Sequence, residues 1–254
     1  KRGWRTDKGD APLKETLAAA MIAASGWDAT VPLYDPCCGS GTIPIEAAQI
    51  ACGIAAGGQR RFGFEKLLPF QAHVWQGLKD EARAMEHAPT APVFGSDVAH
   101  RMVDFAQRNA ERAGVARALQ LRGGDALQRM PPSEVPGVML LNPPYGERIA
   151  AAGVAGRGRE SFVPGQLAAA RGGREAAQTD DGSDFFLRLS AHWKKNFAGW
   201  SAWMLTPDLK LPGRMRLKES RRVPMWNGPI ECRLFRFDLV AGSARRDTGP
   251  ETST

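Results

Sequence analysis

Four cysteines and four histidines are all that 254 residues offer for soft metal ligation or disulfide bonding, and neither set is arranged for it. Cys37 and Cys38 are adjacent while Cys52 and Cys232 stand far off, which matches no zinc spacing and no disulfide framework. Reduced thiols are expected. His73, His87, His100 and His192 are scattered without ligand spacing, so packing or surface roles are expected of them and no metal site. No apolar run approaches the roughly 20 residues of a bilayer span, and the N-terminus lacks the apolar stretch of a signal peptide. A cytoplasmic chain without membrane contact is the resulting expectation. Internal repeats are absent too, and a monomer is expected. Acid is in the minority: 27 Asp and Glu face 34 Lys and Arg, giving +7 and a pI near 9.5, which favours a polyanionic partner.

The length and a 43% hydrophobic content suit one large α/β domain, expected over residues 1–240, with 241–254 as a disordered tail. Leu13, Leu17, Ala20, Met21 and Ala24 recur at helical spacing and Gly26 ends that helix. Val31 to Tyr34 reads as a strand feeding a glycine loop, followed by a helix carrying Ile43, Ala47, Ile50 and Ile54. Pro92 to Gly95 forms a second strand ending near Asp97, and Ala99 to Ala113 a second helix closed by Gly114. A third strand is expected at Leu119 to Leu121, and the apolar Gly137 to Leu141 reads as a fourth, buried on both faces as parallel strands are. Ser183 caps a later helix carrying Phe186, Leu189, Trp193 and Phe197, which leads into a strand at Trp200 to Leu205. Arg221 to Trp226, the turn Asn227-Gly228 and Glu231 to Leu239 read as an antiparallel hairpin. The order predicts a mostly parallel sheet with one reversed strand, and ligands at the C-terminal edge of the parallel strands. Residues 150–182 lack any sustained period and read as a mobile loop, either a cover for bound substrate or a plain insertion. Gly53 to Pro92 is an insertion whose Phe62, Phe64, Phe70 and Trp75 are read as packing residues.

The loop Asp35-Pro36-Cys37-Cys38-Gly39-Ser40-Gly41-Thr42 precedes a helix N-terminus, where free N–H groups favour an anion. Pro44 stands where a dinucleotide fingerprint needs a third small residue, and Asp97 lies 62 positions beyond Asp35 rather than about 20. S-adenosylmethionine fits better than a dinucleotide. Asp35 suits its ammonium, the loop amides its carboxylate, Asp97 its ribose hydroxyls and Asp125 its adenine amine, although Asp125 reads equally well as a turn aspartate. Cys37, Gly39, Ser40, Gly41 and Thr42 complete the expected cofactor contacts.

About a hundred residues on, the fourth strand ends in Asn142-Pro143-Pro144-Tyr145. The Asn142 side-chain oxygen and the Pro143 carbonyl are acceptors, neither proline donates a backbone N–H, and Tyr145 offers a stacking face. That set suits a planar exocyclic amine, and these four residues are the expected catalytic ones. Two motifs in this order carry far more information than either alone. Downstream, Lys210, Arg214, Arg216, Lys218, Arg221 and Arg222 form a basic run opposed only by Glu219, which reads either as a nucleic-acid track or as a solvated face.

Those two motifs, with Gly95-Ser96-Asp97, Arg108 to Gly114, Asn227 to Cys232 and the opening Arg2-Gly3-Trp4-Arg5, resemble the bacterial 23S ribosomal RNA guanine-N2 methyltransferases over most of the chain. The resemblance implies a Rossmann-like class I methyltransferase: seven mostly parallel strands, a C-terminal antiparallel hairpin and helices on both faces. It implies methyl transfer from S-adenosylmethionine to guanine N2 in large-subunit ribosomal RNA. In that family an RNA-binding THUMP domain precedes this point, so the chain corresponds to the catalytic part and such a domain is expected in the full-length protein. The 150–182 stretch departs from the family pattern. Adenine N6 in DNA or RNA and glutamine amides also present planar amines, and a non-catalytic nucleic-acid scaffold and a dinucleotide oxidoreductase are the readings from other classes. Pro44 and the lack of a hydride-site acid disfavour the oxidoreductase.

Overall fold

A glycine turn after the first strand, where side chains would collide, fixes the centre of the architecture. The computed structural model describes residues 1–9, 12–143 and 181–240. Seven strands form one sheet: β1 (Leu33–Asp35), β2 (Val93–Asp97), β3 (Leu119–Gly123), β4 (Val138–Leu141), β5 (Ser201–Thr206), β6 (Arg221–Asn227) and β7 (Ile230–Asp238). Their order is β3-β2-β1-β4-β5-β7-β6, and only β7 runs against its neighbours. The hairpin turn falls at Asn227-Gly228 as expected, with Gly228 at φ 65°.

Helices cover both faces. On one, α1 (Glu15–Ser25), α2 (Thr42–Ala51) and α4 (His100–Arg112) supply Met21, Ile22, Ile43, Ile45 and Ala110 to a core that includes Leu33, Val93, Leu140, Trp203 and Leu234. On the other, α5 (Asp181–Asn196) and the short α6 (Leu211–Met215) bring Phe186, Leu189, Trp193, Leu211 and Met215 against Tyr34, Met139, Met204, Phe235 and Phe237. All four residues of β4 are buried, which is why its sequence is continuously apolar rather than alternating. Gly26 ends α1 in the left-handed conformation expected of it, at φ 74°. The fifth helix begins at Asp181, two residues before the Ser183 expected to cap it. Beyond residues 181–182, which open α5, the expected loop falls outside the described residues, as does the tail at 241–254.

The insertion between α2 and β2 holds α3 (Ala72–Ala84), none of whose residues is buried. Its aromatics pack on one another rather than into the core: Phe62, Phe64 and Trp75 have ring centroids 5.0–5.6 Å apart, while Leu68 is 98% exposed. A short amphipathic helix tethered by turns reaches neither face of the sheet, so burial habits misplace these side chains.

Gly41 caps α2 at φ 87°, and a Cβ there would lie 2.9 Å from Ala106 Cβ and 3.2 Å from its Cα. Both the conformation and the contact with α4 exclude a side chain. Gly41→Ala should therefore destabilise the fold by about 1–3 kcal/mol in denaturant unfolding, whereas an alanine at Gly77, on the exposed α3 with nothing near its missing Cβ, should not.

Candidate active site

Three strand tips and one loop meet at the point where the strand order reverses. β1 pairs with β2 on one side and β4 on the other, so the chains leaving β1 and β4 flank the crevice that open α/β sheets use for ligands. Tyr34 is level with Met139, so Asn142, which follows β4, and the glycine loop, which follows β1, leave the same edge of two neighbouring strands. Asn142 is half-buried and Pro143 buried, while Pro144 and Tyr145 lie outside the described residues.

The loop is held by its own hydrogen bonds. Gly41 N–H donates to the Cys38 carbonyl at 2.8 Å, Cys38 N–H to the Ser96 carbonyl at 2.9 Å, and Gly39 N–H to Asp97 Oδ2 at 2.9 Å. Gly39 sits at φ 53° with open space where a side chain would be. Gly95, on β2, lets the loop close down: a Cβ there would lie 2.8 Å from Leu121, 3.1 Å from Pro44 and 3.3 Å from Cys38. Ser40 and Thr42 are buried within the loop and the start of α2.

Asp35 is buried, and Oδ1 accepts the Cys37 N–H at 3.0 Å; its other carboxylate oxygen has no hydrogen bond among the described residues. Burial pushes its pKa well above the ordinary carboxylate value, and nearby Asp97 pushes it further. Asp97 is raised as well, again by burial, despite the N–H groups of Gly39 and Ala99, which bond its two oxygens at 2.9 Å each. One Gly39 amide expected to be free for a ligand carboxylate is thus committed to Asp97. Asp125 adopts the turn role, accepting the Leu127 N–H at 2.9 Å, and lies close enough to Cys37 to affect its thiol. Burial first, then Asp35, Asp97 and Asp125, raise the Cys37 thiol well above its usual value. It is a protonated wall of the crevice and not a nucleophile. His192 is fixed by the Arg129 carbonyl at 2.8 Å and Asn196 at 2.9 Å, while exposed His100 lies against Gly123, the residue level with Asp97 on β3.

Three supports went unread in the sequence. Asn109, fully buried, donates to the Ser40 carbonyl at 2.9 Å and the Asp7 carbonyl at 2.8 Å, tying the glycine loop to the N-terminal segment. Its signal was a polar residue on the apolar face of α4. Arg5 bridges Glu15 at 3.0 Å and Thr42 Oγ1 at 3.4 Å, and Arg2 pairs with Glu46 at 3.0 Å. Ser96 and Tyr34 share a 2.7 Å hydrogen bond beneath the crevice, where burial holds the phenol up at about 12.

A 3-2-1-4-5-7-6 sheet with a glycine loop and acidic strand tips at its switch point defines a Rossmann-like class I methyltransferase fold. The chain belongs to the UPF0020 family, RMKL-like methyltransferase domains, whose profile matches residues 2–157. It is 38% identical over 97% of its length to the ribosomal RNA large subunit methyltransferase K/L of Shewanella baltica (strain OS195), and spans about a third (32%) of that protein. Among solved structures it is similar to SMU.472, assigned as a methyltransferase and solved as its complex with SAH (28% identity, TM-score 0.75, 94% of this chain and 55% of that one). It is also similar to a Listeria monocytogenes (strain 4b F2365) protein assigned as an N6-adenine-specific DNA methylase (27% identity, TM-score 0.73, 93% and 54%).

A carboxylate whose pKa is raised on folding favours the native state at low pH, and that contribution fades as pH climbs from about 3.8 through the raised value. At neutral pH Asp35 is therefore a source of instability that a bound cation would relieve. Asp35→Asn should raise the melting temperature of the ligand-free protein by at least about 2 °C at pH 7 and leave it unchanged or lower near pH 4. A neutral-pH melting temperature below wild type would refute this account of Asp35.

Proposed function

We propose that the crevice binds S-adenosylmethionine and that the enzyme transfers its methyl group to the exocyclic N2 of a guanine in large-subunit ribosomal RNA. One observation carries the reading: Asn142 and Pro143 end the strand next to the one that leads into the glycine loop, so an acceptor amine and the donor loop share one cleft. The cofactor reading is supported by the SAH complex of a 28% identical protein, and the ribosomal substrate by the name of the 38% identical relative.

The residues present fit such a donor. Asp35 presents a buried, incompletely bonded carboxylate for an ammonium group, Asp97 retains acceptor capacity for ribose hydroxyls, and the open space beside Gly39 allows close backbone approach. When bound, the donor supplies an electrophilic methyl on a sulfonium. Asn142 Oδ1 and the Pro143 carbonyl accept the two protons of a planar amine, which turns its lone pair toward the crevice. Tyr145, outside the described residues, is assigned the stacking face for a base turned out of its helix. Orientation supplies most of the acceleration: aligned reactants gain on the order of 7–11 kcal/mol, more than the roughly 10²–10⁴-fold of one general base. The site needs no enzyme nucleophile, which agrees with a protonated Cys37. A ribosomal RNA substrate supports a cytoplasmic location.

Incubation with methyl-labelled S-adenosylmethionine and separate pools of ribosomal RNA, transfer RNA and DNA, followed by nucleoside analysis, tests the reading. N2-methylguanosine from ribosomal RNA is expected; N6-methyladenine from DNA would transfer the reading to the other planar amine, and absence of S-adenosylmethionine binding by calorimetry would leave a scaffold. Asn142→Ala should lower kcat by about 100-fold or more while the cofactor dissociation constant stays near wild type. Equal losses in both would show that Asn142 serves the cofactor instead.

A further inference from the structure

The basic run at 210–222 takes no part in the crevice, yet the fold carries it along one flank of the sheet, beginning at the edge where Asn142 lies. β6 runs parallel to β5, since each is antiparallel to β7, so the connection between them must return from the C-terminal edge of the sheet to the opposite one. Residues 207–220 make that return over the face covered by α5 and α6. Lys210 lies just beyond the end of β5, the strand next to β4, and Arg221 opens β6 at the far edge, opposite Arg236. Halfway down, Lys194 Nζ donates to the Arg216 carbonyl at 2.8 Å, which brings the basic last turn of α5 against the run.

Acids close by are already matched. Asp208 pairs with Arg214 at 3.2 Å and Glu219 with Arg222 at 2.6 Å. Among the described residues, Lys195, Lys210, Arg216 and Lys218 form no ion pair, and all four are exposed, while Arg221 turns to the opposite face with its cross-strand partner Arg236, which lies over Trp203. A surface that merely kept the protein soluble would mix the two signs; this one leaves a row of uncompensated cations. At its upper end, Trp226, 60% exposed, closes β6 on the same edge as β5 and, by alternation from Arg222, points to the α5–α6 face. Exposed tryptophan beside free cations is the composition of a single-strand nucleic-acid surface: stacking for bases, charge for phosphates.

We infer that this flank, from Lys210 and Trp226 down through Arg216 to Lys218 with Lys195 alongside, binds the single-stranded RNA backbone that leads away from the methylated base. The inference rests on the proposed RNA substrate and deepens it: the catalytic domain itself contributes RNA affinity beyond the crevice. Each phosphate bound releases counterions, so the signature is a salt dependence as well as an affinity.

The probe is a fluorescein-labelled 20-mer of uridylate, titrated with the full chain at 50–200 mM NaCl and followed by anisotropy. The quadruple variant K195E/K210E/R216E/K218E should weaken binding at least tenfold and reduce the slope of log K against log salt by about two to three, at ~0.7 per contact. Trp226→Ala should weaken binding about fivefold or more with the slope unchanged. A matched reversal on the insertion, R60E/R61E/K66E/R83E, should change neither. Unaltered binding in the first variant, or equal loss in the matched one, overturns the inference. Melting curves and SAH calorimetry establish that each variant is folded, and the glutamine versions of the same four substitutions, with a smaller loss in the same order, replace any that is not. Methyl transfer by the wild type is scored separately, so a protein that binds the probe through this flank but methylates no RNA would sink the functional reading and leave the surface standing.

Discussion

The hydrogen bond from Gly39 N–H to Asp97 Oδ2 is the contact on which the site depends, because it locks the turn after β1 to the tip of β2 and fixes both sides of the crevice at once. It holds only because two positions lack side chains for different reasons. Gly39 needs its left-handed backbone, while Gly95 needs the space that Leu121, Pro44 and Cys38 occupy. The consequence is electrostatic. Asp35 and Asp97 are brought together in a poorly hydrated pocket where burial raises both and Asp97 adds to the cost of ionising Asp35, which has too few donors to offset it. A pocket built this way is a preorganised receptor for positive charge, with instability concentrated where a ligand relieves it.

The loop is also held from behind. Asn109 reaches from α4 to the Ser40 carbonyl and to the backbone of Asp7, Arg112 pairs with Asp7 at 2.5 Å, and Arg5 joins α1 to the first residue of α2. Buried Trp4 sits within this latch, its carbonyl taken by Arg112 at 3.0 Å. Residues 2–9, which carry no secondary structure of their own, therefore act as a brace across the two helices that shape the glycine loop. Partly buried arginine pairs suit the task, since planar guanidinium groups fix direction as well as distance.

Much of this was legible in the sequence because the relevant forces act over short chain distances. The glycine loop, the apolar β4, the Gly26 cap and the Asn227-Gly228 turn each follow from local conformational limits, and the hairpin followed from alternation plus that turn. What stayed hidden depends on contacts far apart in the chain. Asn109 looked like an ordinary helix residue until its partners, 69 and 102 positions away, were in place. Asp97 read correctly as the acid at the second strand's tip, but its bond to Gly39 comes from the parallel pairing of β1 with β2, which no motif encodes. The insertion misled for the converse reason: its aromatics have core composition, yet the loop between α2 and β2 gives them no buried surface to join.

On the proposed function, the same geometry would divide recognition between two parts of the molecule. The crevice is small, acidic and shaped by backbone, which suits a compact cation but repels a polyanion. On that reading, RNA delivering a base to Asn142 would find its attraction elsewhere, and the sheet supplies a place because reversing β7 forces the chain between β5 and β6 to cross an entire face. That crossing starts one strand away from the acceptor residues and is free of the packing demands that govern the core, apart from Leu211 and Met215, which anchor it. Its solvent side is open to specialise in charge. Topology thus starts the crossing one strand spacing, roughly 5 Å, from the strand that ends in Asn142.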